Sequence, residues 1–102
     1  MSEVVWSQAA LDDLDSTIAY IAADNPKAAQ KVLDRIETAA DRLGQRAIGR
    51  PGRVTGTFEK SVVGLPYIIA YTLQSLPEGG ERIVILRVIH TARHWPKGGW
   101  PK

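Results

Sequence analysis

The sequence contains no cysteine and no apolar run approaching the roughly 20 residues that a membrane span requires. The absence of cysteine excludes a disulfide framework and any thiolate-ligated metal site. The first fifteen residues lack a basic stretch followed by an apolar one, the pattern typical of a signal peptide. We therefore expect a soluble cytoplasmic protein, built as one domain over residues 1–102.

Acidic residues are scarce in the second half of the chain. Residues 46–102 hold nine basic and three acidic residues, a net charge of +6, whereas residues 1–45 hold four basic and eight acidic residues, a net charge of −4. A basic half can contact nucleic acid or an acidic protein segment, or it can be an ordinary solvated surface. The charge pattern points to a partner without identifying its class.

Common enzyme motifs are also missing. The chain has no G-x-S-x-G, no phosphate-cradling G-x-x-x-x-G-K-[ST] and no G-x-G-x-x-G. Its two histidines, His90 and His94, have no carboxylates close to them in the sequence, which makes a poor metal site. We expect neither a metal nor a cofactor.

Two helices are predicted in the first half of the chain. Ser7 is a suitable N-cap for a helix that runs to about Asp24, with apolar residues at the spacing of one buried face. Asn25-Pro26 predicts the start of a second helix, which we expect to end at Leu43 because Gly44 follows. A connection this short predicts an antiparallel helical hairpin.

Strands are predicted before and after this hairpin. The residues at 4–6 suit a short first strand, the Gly-rich stretch 44–53 suits a loop, and three β-like runs follow at 54–63, 67–73 and 82–89. Simple alternation in the last run puts Ile83, Ile85, Arg87 and Ile89 on one face and Val84, Leu86, Val88 and His90 on the other. The layout is β-α-α-β-β-β, an α+β fold with an N-terminal helical hairpin packed on a small antiparallel sheet.

Side chains suited to chemistry or binding cluster at the end of the last predicted strand. His90 and Arg93 lie three residues apart, followed by His94 and Trp95. A histidine beside arginines can act as a general acid or base. A tryptophan can stack on a base or anchor a protein partner. Equally, Trp95 can pin the tail to the core and His90 can form a local hydrogen bond, so both interpretations stay open.

Five segments in order resemble the RelE/ParE toxin superfamily of type II toxin–antitoxin systems. They are W-S-x-x-A-x-x-D-L (6–14), I-A-Y-I-A-x-x-N-P-x-A-A (18–29), G-R-x-G-R-V-x-G-T (49–57), P-Y-I-I-A-Y (66–71) and I-L-R-V-I-H-x-A-R-x-W-P (85–96). The resemblance covers nearly the whole chain and implies a helical hairpin on a small sheet. It also implies a growth-arresting toxin, of the kind involved in plasmid stabilisation, that is neutralised by a partner antitoxin.

The superfamily contains two activities, and the resemblance implies one or the other. RelE-like members are ribonucleases that cut mRNA on the ribosome, whereas ParE-like members poison DNA gyrase. RelE-like sequences place an arginine after the aromatic residue that opens the third strand, as in Y-R-L-V-Y, where this chain has Ile68 after Tyr67. Isoleucine cannot offset charge developing at a phosphate. The C-terminal tyrosine of the RelE type also has no counterpart, which favours a ParE-like gyrase inhibitor.

Each alternative assigns roles to residues near the chain end. As a gyrase inhibitor, the protein would contact its target through Arg87, His90, Arg93 and Trp95. As an mRNA endoribonuclease, it would use His90 as general acid or base and bind phosphate through Arg53, Arg87 and Arg93. A third alternative is a non-toxic homologue that only binds an antitoxin.

Overall fold

Two helices pack on a five-stranded mixed sheet in the computed structural model, which describes residues 2–46, 49–52 and 54–91. In chain order the elements are β1 (Glu3–Trp6), α1 (Gln8–Ala22), α2 (Pro26–Gln45), β2 (Arg50–Pro51), β3 (Phe58–Ser61), β4 (Tyr67–Ser75) and β5 (Glu81–His90). The strands lie in the order β1-β5-β4-β3-β2. The predicted α+β fold, with its N-terminal helical hairpin, is confirmed.

Both helices begin where the sequence predicts. The Ser7 side chain accepts a hydrogen bond from the Ala10 amide at 3.1 Å, and the Asn25 side chain accepts one from the Ala28 amide at 3.1 Å. Each cap satisfies an amide that would otherwise lack a partner in the first turn. Pro26 then opens α2, where its missing N–H costs nothing.

The predicted end of α2 is wrong by two residues. Gly44 lies inside the helix and is buried, because α2 packs closely against the first residues of the chain. A Cβ atom at position 44 would lie 2.7 Å from the Ser2 carbonyl oxygen and 2.9 Å from Cγ2 of Val4. The Ser2 amide donates a hydrogen bond to the Gly44 carbonyl at 2.6 Å. This glycine permits a close approach rather than stopping the helix.

The sheet differs in two details from the predicted antiparallel one. Strands β3, β4 and β5 form the expected antiparallel meander, but β1 pairs with β5 in parallel. A two-residue strand, β2, also forms within the predicted loop and pairs with β3. The predicted strand from Val54 begins only at Phe58, because a turn with Gly56 at φ +84° comes first.

A β-bulge in β5 overturns the simple alternation predicted for that strand. Ala70 lies opposite Arg87 but the next residue, Tyr71, lies opposite Ile85, so Leu86 is the extra residue. Ile83 and Ile85 consequently share the helix-packed face with Val88 rather than with Arg87. The main core lies between this face and the hairpin, and its largest fully buried side chains include Tyr71, Ile36 and Ile69.

Candidate functional site at the end of strand β5

The second half of β5 runs past the end of β1, so helix α1 supplies hydrogen-bond partners for its backbone. Strand β1 pairs with β5 only as far as Trp6 opposite Ile85. Beyond that point the Ser7 hydroxyl donates to the Leu86 carbonyl at 3.0 Å. The Val88 amide donates to Oδ2 of Asp13 at 3.0 Å. Side chains from the start of α1 therefore fix the strand end that carries the predicted functional residues.

Arg87 forms a two-pronged ion pair with Asp13 of α1. Its Nε lies 2.8 Å from Oδ2 and its Nη2 lies 2.8 Å from Oδ1, although the residues are 74 positions apart in the sequence. Only 18% of the Arg87 side chain and 14% of the Asp13 side chain are exposed. The hydrogen bonds that Arg87 donates to Asp13 raise the pKa of Arg87. Charge-assisted bonds of this geometry are strong and directional, so Arg87 is firmly held.

His90 packs against an aromatic ring at the end of the meander. Its ring meets that of Tyr67 edge-to-face, with centroids 5.2 Å apart and an interplanar angle of 88°. Tyr67 lies directly opposite His90 in the ladder, so both side chains are on the helix-packed face. Burial raises the pKa of the Tyr67 hydroxyl above its ordinary value.

The face of the sheet away from the hairpin is apolar at its centre. Ile68, Ala70 and Ile89 form a second buried cluster there, with exposures of 6%, 0% and 1%. The Arg87 backbone lies opposite Ala70 in the ladder, but its guanidinium reaches Asp13 of α1. Ile68, at the position where RelE-like nucleases carry an arginine, is thus buried in a cluster with Ala70 and Ile89.

The structure places two of the predicted site residues, Arg87 and His90. Their backbone positions face opposite sides of β5, but the Arg87 guanidinium reaches Asp13 of α1. Arg53, Arg93, His94 and Trp95 lie outside the described residues. The target-binding role of Arg87, His90, Arg93 and Trp95 therefore stays a prediction.

Asp13 is the site residue that the sequence interpretation did not identify. Its partners in β5 lie far away in the sequence, and no local pattern connects them.

The described residues contain no cluster of metal-ligand side chains and no helix that could span a membrane. Within residues 2–46, 49–52 and 54–91, no three His, Asp or Glu side chains are grouped so that they could hold a metal. Neither α1 nor α2 is long and apolar enough to cross a bilayer.

Comparison with known proteins identifies the family. Residues 4–95 match the family model of the ParE toxin of the type II toxin–antitoxin system parDE. The chain is 41% identical over 93 residues to the candidate toxin Y4kP of Sinorhizobium fredii, covering 90% of this chain and 91% of that protein. It is 37% identical over 94 residues to toxin RelE2 of Caulobacter vibrioides, covering 91% and 99%.

A solved structure agrees with these sequence relatives. A chain of the chromosomal ParDE toxin–antitoxin system from P. aeruginosa superposes with a TM-score of 0.77 and 26% identity, covering 88% of this chain and 96% of that chain. The sequence match extends over most of the domain, and the fold agrees with it. The chain therefore belongs to the ParE toxin family of type II toxin–antitoxin systems, within the RelE/ParE superfamily.

Proposed function

We propose that this toxin arrests growth by inhibiting DNA gyrase through protein contacts, without cutting RNA itself. A cognate antitoxin neutralises it, as the family implies. The observation that carries the proposal is the environment of Ile68. Its position would need a cation in a RelE-like nuclease, but here it belongs to an apolar cluster with Ala70 and Ile89.

The electrostatics of phosphodiester cleavage explain why isoleucine instead of arginine at position 68 is important. In-line attack at phosphate builds negative charge, which an enzyme stabilises with preorganised cations or hydrogen-bond donors. Ile68 is 6% exposed and provides neither. The Arg87 backbone lies opposite Ala70 in the ladder, but its Nε and Nη2 are directed at Asp13. This arrangement favours a structural role for Arg87 over phosphate binding.

The position of His90 also supports the proposal. The nuclease alternative needs His90 as general acid or base beside arginines that hold the same phosphate. The backbone positions of Arg87 and His90 face opposite sides of β5, and the His90 ring is packed against Tyr67. The Arg87 guanidinium is bound by the Asp13 carboxylate of α1, which favours an ion-pair role over phosphate binding.

We assign target contacts to the end of β5 and the residues that follow it. His90, Arg93 and Trp95 would contact gyrase, with Trp95 as the anchor and Arg93 as a charge contact. Arg87 would act mainly through Asp13, by fixing the strand end that carries the other three.

A supercoiling assay tests the proposal. Purified gyrase and relaxed plasmid DNA are incubated with the antitoxin-free toxin, and the rate of supercoiling is measured. We expect wild-type toxin to inhibit supercoiling and the Trp95→Ala variant to inhibit it more weakly. Asp24→Ala, an exposed change at the far end of the hairpin, serves as the matched control. Unchanged supercoiling at all toxin concentrations would reject the proposal.

The second candidate function is ribosome-dependent mRNA cleavage. The chain matches one relative over almost that protein's full length, and that relative is named toxin RelE2. The name favours this candidate. Under it, His90→Ala would abolish cleavage of mRNA on programmed ribosomes, and Arg53, Arg87 and Arg93 would bind phosphate. A homologue that only binds an antitoxin would be inactive in both assays.

A further inference from the structure

A basic groove lies between α2 and the end of β3. It is lined by one side of α2, between residues 34 and 46, and by Lys60, Ser61 and Val63 at and after the end of β3. Its volume of about 640 Å³ is within the range of ligand-binding clefts. No described residue of β5 lines it, so the groove is distinct from the strand end that carries His90.

Cations dominate this groove. Four basic side chains line it against one acidic side chain, Asp34. The four are Arg35, Arg42, Arg46 and Lys60, of which the three arginines are exposed and the lysine is half-buried. Among the residues that the structure describes, none of the four forms an ion pair. The groove therefore presents positive charge that the described part of the fold leaves without a counter-charge.

The three arginines form a row along α2. They are seven and four residues apart, close to two turns and one turn of helix, so they lie on the same side. The helical rise places the Cα atoms of Arg35 and Arg46 about 16 Å apart. One strand of double-stranded DNA carries a phosphate about every 3.4 Å along the axis, so roughly five phosphates lie along a row of this length. An extended chain of phosphates matches the row better than a single small anion does.

The other side chains of the groove also suit a sugar–phosphate backbone. The hydroxyls of Thr38 and Ser61 and the amide of Gln45 are neutral donors of the kind that bind phosphate oxygens and sugars. Leu43 and Val63 supply an aliphatic floor against which deoxyribose carbons can pack. No aromatic residue is among the described residues of the lining, so unpaired bases would have no ring on which to stack. The lining therefore favours a duplex, whose bases stay paired, over a single strand.

We propose that the groove binds the phosphate backbone of double-stranded DNA, independently of base sequence. The four cations contact phosphates, and the neutral donors bind oxygens between them. Gyrase holds DNA as its substrate, so a toxin bound to gyrase would also contact that DNA through the groove. This contact would add to the retention of the toxin on the gyrase–DNA complex. The contact within that complex rests on the proposed function, whereas DNA binding by the isolated toxin does not.

Salt-dependent binding of DNA to the purified, antitoxin-free toxin tests the proposal. The probe is a fluorescein-labelled duplex of about 20 base pairs, and its affinity is measured by fluorescence anisotropy between about 50 and 200 mM salt. Four neutralised phosphates predict a slope of about −3.6 when the logarithm of the association constant is plotted against the logarithm of the salt concentration. A second duplex of scrambled sequence should bind within about twofold, because backbone contacts carry no sequence information.

Paired variants locate the binding to the groove. Arg42→Ala combined with Arg46→Ala removes two phosphate contacts. This groove variant should reduce the magnitude of the slope by about 1.8 and weaken binding more than about tenfold at about 50 mM salt. The matched control is Lys27→Ala combined with Lys31→Ala, the same charge change on exposed side chains of α2 outside the groove lining. The control should keep the slope near the wild-type value.

Two sets of results would overturn the proposal. One is no binding of the duplex by wild-type toxin at about 50 mM salt, or an equal loss of affinity in the groove and control variants. The other is tighter binding of oligodeoxythymidylate, of an RNA duplex or of a Glu-rich peptide of equal charge. Such a result would assign the groove to that class of ligand instead.

Supercoiling by gyrase is measured separately with the same variants. The groove variant should still inhibit supercoiling, but at a higher toxin concentration than wild type or the control variant. Inhibition at the wild-type concentration would overturn the DNA contact within the gyrase complex. If wild-type toxin bound the duplex but left supercoiling unchanged, the proposed function would fail and the groove would stand. If supercoiling were inhibited and the duplex did not bind, only the groove assignment would fail.

Discussion

At the end of β5 and in the groove between α2 and the end of β3, basic side chains have opposite surroundings. Arg87 is largely buried and paired through two hydrogen bonds with Asp13. Arg35, Arg42 and Arg46 are exposed and, within the described residues, form no ion pair. A cation with a buried counter-charge holds the fold together, whereas exposed cations around an aliphatic floor are available to a partner. Excess positive charge alone does not separate these two roles.

The largest expected effect is at the buried pair. Asp13→Ala removes the carboxylate that pairs with Arg87 and accepts from the Val88 amide, so a largely buried guanidinium loses this counter-charge. We expect the free energy of unfolding to fall by about 3 kcal/mol, the lower end of the range for broken buried pairs because both side chains retain some exposure. Urea unfolding measures this, with exposed Asp15→Ala as the control. A loss no larger than that of the control would remove the contrast between the two regions.

A second effect concerns the apolar face beside Arg87. Ile68→Arg restores the cation of RelE-like sequences but places it in the cluster with Ala70 and Ile89. We expect a loss of about 2–3 kcal/mol in unfolding free energy, limited because arginine can extend its charged end toward solvent. No RNA cleavage should appear on programmed ribosomes. Ile68→Leu, which conserves volume, should cost less than about 1.5 kcal/mol. A stable variant that cleaves mRNA would contradict our interpretation of this face.

Alkaline pH should lower the free energy of unfolding because two tyrosines of the core are buried. Burial raises the pKa of Tyr67 and of Tyr71 above the ordinary value of 10.0. Because the folded-state pKa is raised, the stability contribution is complete below pH 10 and is lost as pH rises through the folded-state pKa. Each tyrosine should lower stability by at most about 1.4 kcal/mol per pH unit in that window. Urea unfolding measured at pH 8 and above should show this decline in the free energy of unfolding.

Phenylalanine variants test whether the buried tyrosines cause the decline in stability at alkaline pH. Tyr67→Phe should reduce the decline, whereas Tyr20→Phe, at a side chain that is 84% exposed, should leave it unchanged. Arg87 adds no decline near neutral pH, because its pKa is raised further above an ordinary value that is already strongly alkaline. A steep stability change between pH 6 and pH 9 would not fit this account.

The smallest effect on stability is expected in the groove. Arg42→Ala should lower the unfolding free energy by only about 0.5 kcal/mol, from its favourable position in the last turn of α2. Arg46→Ala should change it by less than about 0.5 kcal/mol in either direction. The same urea titrations measure both. A loss above about 1 kcal/mol at either position would indicate that the groove cations serve the fold rather than a partner.

Local sequence signals predicted the elements of this fold well. Ser7 and Asn25 were identifiable as caps because capping depends on neighbouring residues alone. Gly44 was misinterpreted, since its role depends on Ser2 and Val4, which contact it only in the folded chain. The bulge at Leu86 and the parallel pairing of β1 likewise depend on partners that no local pattern identifies.

The candidate site was less predictable for the same reason. Arg87 and His90 stood out by residue type, but the ion pair with Asp13 joins positions 74 residues apart. The groove cations were visible as charges in the sequence, whereas their position around Leu43 and Val63 depends on how α2 packs beside β3. Residue chemistry could be identified from the sequence, but the contacts that decide its use could not.

The most direct test of the account is the amount of covalent gyrase–DNA complex that forms as antitoxin-free toxin is titrated onto purified gyrase and plasmid DNA. A parallel reaction with mRNA on programmed ribosomes provides the comparison. We predict that trapped gyrase–DNA complexes accumulate with toxin concentration while the mRNA stays intact. Cut mRNA together with unaffected gyrase would contradict the account and make His90 and the arginines candidate catalysts.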